Sequence, residues 1–219
     1  MGWNRNDRLR KIKMIYDKLS QYYDQFLDLE LYDEYYNLIK KYIKKGNVID
    51  LGTGTGILAI RLAKEDFFVT ATDISTRMLE TAYNNALIEK VEMRFYIHDV
   101  LESLNKPYDL LIMSSDVINY MENESDVLKV FKNISEAMNK KSIFIFDFLR
   151  PEFLESLHNY TEDIDLGDEE GGDIDLGDEE LDVDVETEDG GIEDDLDMDL
   201  DTGSEELLCF GYQVVALKK

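Results

Sequence analysis

The sequence predicts an α/β domain: a doubly wound, mostly parallel sheet with helices on both faces, a helical cover at its N-terminal side, and an acidic insertion before the last strand. Three observations predict it. Short, nearly continuous apolar runs alternate with segments of helical period between residues 48 and 148. Such runs call for a parallel sheet buried on both faces. A glycine-rich turn, LGTGTG, joins the first run to the first helix of that alternation. Finally, the acidic residues are concentrated in one stretch near the C-terminus, which leaves the rest with an ordinary globular composition.

From Leu9 to Lys45 the pattern is helical, with Ile12, Ile15, Leu19, Tyr22, Tyr23 and Phe26 on one stripe and Tyr35, Leu38, Ile39 and Tyr42 on a second. The KKGN stretch supplies cations for the last turn and Gly46 as a C-cap. Strands are then expected at Val48–Leu51, Phe67–Thr72, Val91–Ile97, Tyr108–Met113 and Ile143–Phe148. Helices are expected at Ile57–Lys64, at Ser75–Leu87 with Ser75 as N-cap, and at Asn123–Asn139, where Val127, Val130, Phe131, Ile134 and Met138 share a face. The closing EELLCFGYQVVALKK reads as a helical turn, a glycine and one last strand. The expected organisation is a core over 1–160 with its helical cap over 1–46, an acidic insertion over 161–206, and a strand in 207–219 that completes the sheet.

The formal charge of −26 is the property of one segment. Residues 161–206 hold 24 Asp and Glu and neither Lys nor Arg, while the remaining 25 acids face 23 bases. Nucleic acid would be repelled by that segment at long range, so no nucleic-acid partner is expected. No run of about 18 apolar residues exists and no membrane span is expected. The basic N-terminus lacks an apolar core behind it, and a single cysteine, Cys209, fits a reducing compartment; the expected location is the cytoplasm. DIDLGDEE occurs twice, ten residues apart, followed by LDVDVE and DLDMDLD with strand period. DIDLGD places glycine at loop position five and an acid at six, the reverse of the order of an EF-hand loop, and no metal site is expected. The segment reads as a solvated, self-repelling insertion, with an edge strand as the ordered alternative.

A strand ending in D-x-G-x-G-x-G and turning into a helix brings backbone close to a ligand, because glycine has no Cβ to block approach. The N–H groups of the loop then face that ligand at a helix N-terminus. Dinucleotide sites use G-x-G-x-x-G. Here the third glycine, Gly56, comes one position earlier, and Asp50 precedes the first glycine by two. A ligand with an ammonium group and no pyrophosphate suits the loop better than NAD, which disfavours an oxidoreductase.

VIDLGTGTG, followed by TATDIS and then RMLETAYNN, resembles the class I S-adenosylmethionine-dependent methyltransferases, over roughly Ile15 to Phe148. The resemblance implies the Rossmann-like methyltransferase fold and S-adenosylmethionine as cofactor, with S-adenosylhomocysteine as product. It implies that Gly52, Gly54 and Gly56 surround the methionyl part, that Asp50 serves its amino end, and that Asp73 accepts from both ribose hydroxyls. Ile74 and Met78 would pack on adenine, Asp99 would accept from its amino group, and the Val100 N–H would reach a ring nitrogen. Ser114 would lie by the methionyl amino group and the methyl. IYDKLSQYYDQF resembles a tyrosine-rich helix that covers the cofactor in small-molecule members, which places Tyr16 and Tyr23 there.

Methyl transfer is an in-line displacement, and a general base is needed only where the nucleophile arrives protonated. SSDVINY offers Asp116, Asn119 and Tyr120 for that role; FDFLRP offers Asp147 and Arg150. His98 beside Asp99 is not expected to form a dyad, since adjacent strand residues face opposite ways. SSDVINY lacks the N/D-P-P-Y-like turn of enzymes that act on nucleic-acid bases, and is similar to the D-S-L-N-Y-L turn of bacterial small-molecule members. The expected function is therefore methyl transfer to a small soluble acceptor. The alternative is a methyltransferase-like module that binds cofactor without turnover and uses its acidic arm for a basic protein or cations. That alternative arises because the acidic segment replaces most of the usual substrate lid. A homodimer is compatible with either.

Overall fold

The computed structural model describes residues 10, 13–18, 20, 23, 29–150, 207–209 and 212–218. The acidic segment, PEFLESLHNY and much of the first expected apolar stripe lie outside the described residues. The elements in order are α1 (Leu29–Tyr42), β1 (Asn47–Leu51), α2 (Ile57–Ala63), β2 (Phe68–Asp73), α3 (Thr76–Glu89), β3 (Arg94–Ile97) and β4 (Tyr108–Met113). A 3₁₀ turn (Val117–Tyr120), α4 (Glu124–Glu136), β5 (Met138–Leu149), β6 (Leu207–Cys209) and β7 (Tyr212–Lys218) follow.

Among the described residues the sheet has seven strands in the order β3-β2-β1-β4-β5-β7-β6. The first five are parallel, whereas β7 runs antiparallel to β5, from Ile143 opposite Lys218 to Leu149 opposite Tyr212. After β3 the chain returns to place β4 beside β1, so the order reverses between β1 and β4. An open α/β sheet binds its ligand at that reversal, outside the carboxyl ends of the strands.

Strand period sorts the core into two faces. Val48, Leu110, Ile112, Ile143 and Ile145 pack with Leu38 and Ile39 of α1 and Leu58 and Leu62 of α2. Ile49, Leu111, Met113, Phe144 and Phe146 point the other way, onto Val130 and Ile134 of α4. Each large side chain removed from water in this way contributes about 1.5–3 kcal/mol, which explains why these strands have no polar alternation. β3 is the exception, because it is an edge strand whose Tyr96 and Ile97 stay exposed.

Several sequence expectations need correction. Gly46 does not cap α1, which ends at Tyr42; instead Asp109 packs against Gly46 and accepts from the Asn47 N–H at 2.8 Å. Helix α4 stops at Glu136 because Met138 already pairs with Tyr108 in the sheet. Leu207–Cys209 is a strand paired with β7 rather than a helical turn. Ile15, expected in an apolar stripe, is exposed. The second stripe is as expected, with Tyr35, Leu38 and Ile39 fully buried.

Candidate functional site

A cavity opens at the carboxyl ends of β1, β2, β3 and β4, where the strand order reverses. Its floor is the turn from β1 into α2. Gly52 and Thr53 both donate backbone N–H groups to the Thr72 carbonyl of β2, at 2.9 and 2.8 Å, which fastens the loop to its neighbour strand. Gly52 has φ +77°, and a Cβ there would lie 2.4 Å from Cγ2 of Val117. Gly56, with φ +86°, begins α2 and lets it approach Ala82 of α3, which a Cβ would meet at 3.0 Å. Both positions therefore need glycine for conformation and for space.

Two carboxylates frame this loop. Asp50 is 1% exposed; one oxygen accepts from the Thr53 hydroxyl at 2.8 Å, and the other, Oδ1, is buried with no hydrogen-bond partner. Burial pushes its carboxyl up to about 7, the Thr53 bond pulls it down, and Asp73 adds to the rise. An orphaned, buried carboxylate oxygen at a cavity wall is a demand for a donor, and a cation meets that demand best. Asp73 accepts from the Gly54 N–H at 3.0 Å through Oδ2 and from the Ser75 N–H at 2.8 Å through Oδ1. Its carboxyl is raised by burial, against the pull of those backbone bonds. The Ile74 N–H also acts on this carboxylate, and with two acceptor directions on each oxygen Asp73 retains capacity for a further donor.

Tyrosines cover the cavity. Tyr16 sits edge-on to Tyr23 and Tyr120, with ring centroids 6.0 and 5.8 Å apart, and its hydroxyl is hydrogen-bonded to that of Tyr120. The ring of Tyr23 lies against Gly54. Burial above all raises the phenols of Tyr16 and Tyr23, so both remain protonated. The helical segment at 13–18 is tied down by Asp17, whose Oδ1 accepts from the Ser75 hydroxyl at 2.5 Å and the Arg77 N–H at 3.3 Å. That places an anion at the N-terminus of α3, where the helix dipole favours it.

The loop after β4 is set by Asp147 of β5. Ser115 and Asp116 are consecutive left-handed residues, at φ 62° and 58°, a conformation disfavoured for residues with a Cβ. The Asp147 carboxylate accepts from both of their N–H groups, at 3.1 and 3.0 Å, and from the Tyr35 hydroxyl of α1. Asp147 is wholly buried, so it holds the loop and does not face an entering substrate as the sequence suggested.

The structure gathers most of the expected residues around the cavity: Tyr16, Tyr23, Asp50, Gly52, Gly54 and Asp73, together with Ile74, Asp99, Val100, Ser114 and Tyr120. Gly56, Met78, Asp116 and Asn119 are not in its wall. Met78 is buried in the first turn of α3 and donates its N–H to the Ser75 side chain; Asn119 accepts from the Leu149 N–H at 3.2 Å and ties the 3₁₀ turn to β5. Asp116 lies outside the wall, yet close enough for its charge to raise the Tyr16, Tyr23 and Tyr120 phenols. His98 corrects a sequence expectation. It follows the end of β3, so the strand rule does not apply, and it lines the cavity along with Asp99. Its Nε2 is buried without a partner, and burial holds the imidazole below its usual pKa despite Glu102 and Asp99. Tyr32, whose hydroxyl meets that of Ser115 at 3.1 Å, and Asp17 were not singled out by the sequence.

Comparison with known proteins agrees with this arrangement. Residues 43–176 match the model of a family described as a methyltransferase domain. A relative from Geobacillus sp. (strain WCH70), provisionally named a methyltransferase, is 31% identical over 141 residues, which are 61% of this chain and 57% of the relative. The release factor glutamine methyltransferase of Flavobacterium psychrophilum is 30% identical over 115 residues, 51% of this chain and 39% of that protein. The chain thus spans little more than half the length of the first of these curated relatives, and less of the second. Among solved structures, an S-adenosylmethionine-dependent methyltransferase from Clostridium acetobutylicum ATCC 824 superposes with a TM-score of 0.54 at 26% identity, over 70% of this chain and 65% of that one. The family match covers more than half of the chain and takes in the glycine loop, Asp50 and Asp73, and on that ground the chain belongs to the class I S-adenosylmethionine-dependent methyltransferase family.

Proposed function

We propose that this protein is an S-adenosylmethionine-dependent methyltransferase that acts on a small soluble acceptor. The observation that carries this reading is the buried Asp50 carboxylate, with its unpartnered Oδ1 in the wall of a cavity floored by Gly52 and Gly54. An amino-acid ammonium beside a tight backbone turn answers both features, whereas a pyrophosphate would be repelled by the carboxylate. When bound, S-adenosylmethionine supplies a methyl group already activated on a sulfonium, so the protein's share is alignment and a dry pocket.

In this reading Asp50 holds the amino group, Gly52 and Gly54 admit the methionyl chain, and the remaining lone pairs of Asp73 take the ribose hydroxyls. Ile74 lies on the adenine, Asp99 and the Val100 N–H read its edge, and Ser114 stands by the methionyl end. Tyr16 and Tyr23 exclude water from above. Gly56 and Met78 act from behind, by letting α2, α3 and the sheet close together. Asp116 and Tyr120 face the acceptor side, with Asn119 holding their turn.

A small acceptor is favoured by the tyrosine cover over the cavity and by a wall without Lys or Arg among the described residues, which leaves nothing to grip a phosphodiester backbone. The core with its N-terminal cap, the acidic segment at 161–206 and the C-terminal strand are read as three units, the second being accessory to the first. The concentration of 24 acids in that segment also supports a second reading, a cofactor-binding module without turnover that recruits a basic protein or cations.

Calorimetric titration with S-adenosylhomocysteine, with NAD as comparator, tests the cofactor. Transfer of labelled methyl from S-adenosylmethionine to a metabolite panel tests the acceptor. Saturable S-adenosylhomocysteine binding and a labelled metabolite are expected. Binding of NAD alone would overturn the reading, and cofactor binding with label found only in protein would remove the small acceptor.

A further inference from the structure

The wall of the cavity combines two features that reach beyond the cofactor contacts: a group of phenol rings that takes in Tyr120, and the carboxylates of Glu122 and Asp126. Tyr16, Tyr23 and Tyr120 form a continuous edge-to-face group, with centroid separations of 6.0 and 5.8 Å. The face of each ring is negative, and a group of rings at a cavity wall favours a cation over a neutral molecule of the same shape. Around them, Asp50, Asp73, Asp99, Glu122 and Asp126 line the cavity, and no Lys or Arg among the described residues does. Asp116 adds its charge from just outside the wall, near enough to act on all three phenols. An acceptor that carries a carboxylate or phosphate would enter this group without a counter-charge. An acceptor that carries a cation would find one in Glu122 and Asp126 while the cofactor occupies Asp50, Asp73 and Asp99.

We propose that the methyl acceptor is an alkylamine, bound as its ammonium by the Tyr16, Tyr23 and Tyr120 rings inside this carboxylate-lined cavity. The inference rests on the methyltransferase reading above. In the reaction the ammonium loses one N–H proton to a carboxylate, its nitrogen bonds to the methyl carbon, and the electron pair of the broken S–C bond stays on sulfur as a neutral thioether. The proton goes to Asp116, which stands close enough to act on the Tyr16, Tyr23 and Tyr120 phenols and whose carboxyl is pushed up to about 7 by burial and by the neighbouring Asp147. A carboxyl in that range accepts a proton at neutral pH far better than one at its ordinary value. The tyrosine hydroxyls, held protonated by burial, do not compete for the role. The product is again an ammonium, so the rings serve substrate and product alike. Residues 161–206 carry 24 acids and neither Lys nor Arg, a charge that attracts cations to the protein at low salt.

The test uses the full-length chain and two probes of equal shape: choline, and 3,3-dimethylbutan-1-ol, in which carbon replaces the charged nitrogen. Each is titrated calorimetrically into the protein alone and into the protein saturated with S-adenosylhomocysteine. Choline is expected to bind at least tenfold more tightly than its neutral counterpart. That ratio should survive in Tyr120→Phe and fall towards one in Tyr120→Leu. Because both probes are compared on one variant, partial unfolding of that variant does not imitate the result. Equal affinities on the wild-type chain, or labelled methyl transferred to a hydroxyl or carboxylate acceptor but to no amine, would overturn the inference and leave the methyltransferase reading intact. Failure to bind S-adenosylhomocysteine would instead defeat that reading, and the choline ratio on the protein alone would still decide whether the rings form a cation site.

Discussion

Replacement of Asp73 by alanine separates a ligand contact from a structural one. In the folded chain its carboxylate accepts two backbone N–H bonds, from Gly54 at 3.0 Å and from Ser75 at 2.8 Å. Hydrogen bonds to a charged group contribute about 1.5–3 kcal/mol each, and a buried N–H left unpaired costs a further ~1–3 kcal/mol. Against this stands relief of a carboxylate that burial disfavours, as its raised pKa shows. A net loss of about 1–3 kcal/mol in folding stability is therefore expected, read as a lower Tm or denaturant midpoint. The proposed ribose contact adds a separate loss of about 2–3 kcal/mol in S-adenosylhomocysteine binding, a rise of roughly 30- to 150-fold in Kd by calorimetry. Asp73→Asn keeps one acceptor oxygen, so it should fall between wild type and alanine in both measurements. A lowered Tm with an unchanged Kd would refute the reasoning, because Asp73 would then be only a clasp for the glycine loop.

Three further outcomes follow from the same geometry. Asp50, held near 7 by burial, binds its proton in the folded chain at pH values where the unfolded chain has lost it, so its contribution to stability declines as pH rises from about 4 through 7. A cofactor ammonium needs the ionised form, so S-adenosylhomocysteine affinity should rise by up to about tenfold per pH unit below 7, level off above it, and lose this dependence in Asp50→Asn. Gly52→Ala should destabilise the chain by more than the ~1–2 kcal/mol cost of a left-handed residue, because its Cβ meets Val117; addition of Val117→Ala should recover the steric part only, as measured by chemical denaturation. Replacement of residues 161–206 by a short Gly/Ser linker should leave S-adenosylhomocysteine affinity within about threefold, since a flexible linker costs little to close; loss of cofactor binding would show that the segment belongs to the core.

The fold was legible in the sequence where one pattern decides one element. The apolar runs at Val48–Leu51 and Tyr108–Met113 can be satisfied only by burial on both faces, and the structure buries them so. The glycine spacing gave the position of the loop, because Gly52 and Gly56 need conformations that few other residues adopt. What stayed hidden are partnerships across long separations. Nothing local shows that Tyr16 meets Tyr120, that Asp73 clasps Gly54, or that Tyr35 and Asp147 lock the turn at Ser115. His98 lines the cavity beside Asp99 because the chain has left the sheet at the end of β3, where period-2 alternation no longer applies. The limits of β5 were missed for a related reason: Met138 completes an apolar helical stripe, but its pairing with Tyr108 takes it into the sheet.

The most direct test of the account is a structure of the full-length chain with S-adenosylhomocysteine. The ligand's amino group is expected on Asp50 Oδ1, its ribose hydroxyls on Asp73, and Tyr16 and Tyr23 closed over it. A ligand bound elsewhere, or an Asp50 oxygen still unpartnered with ligand present, would contradict it.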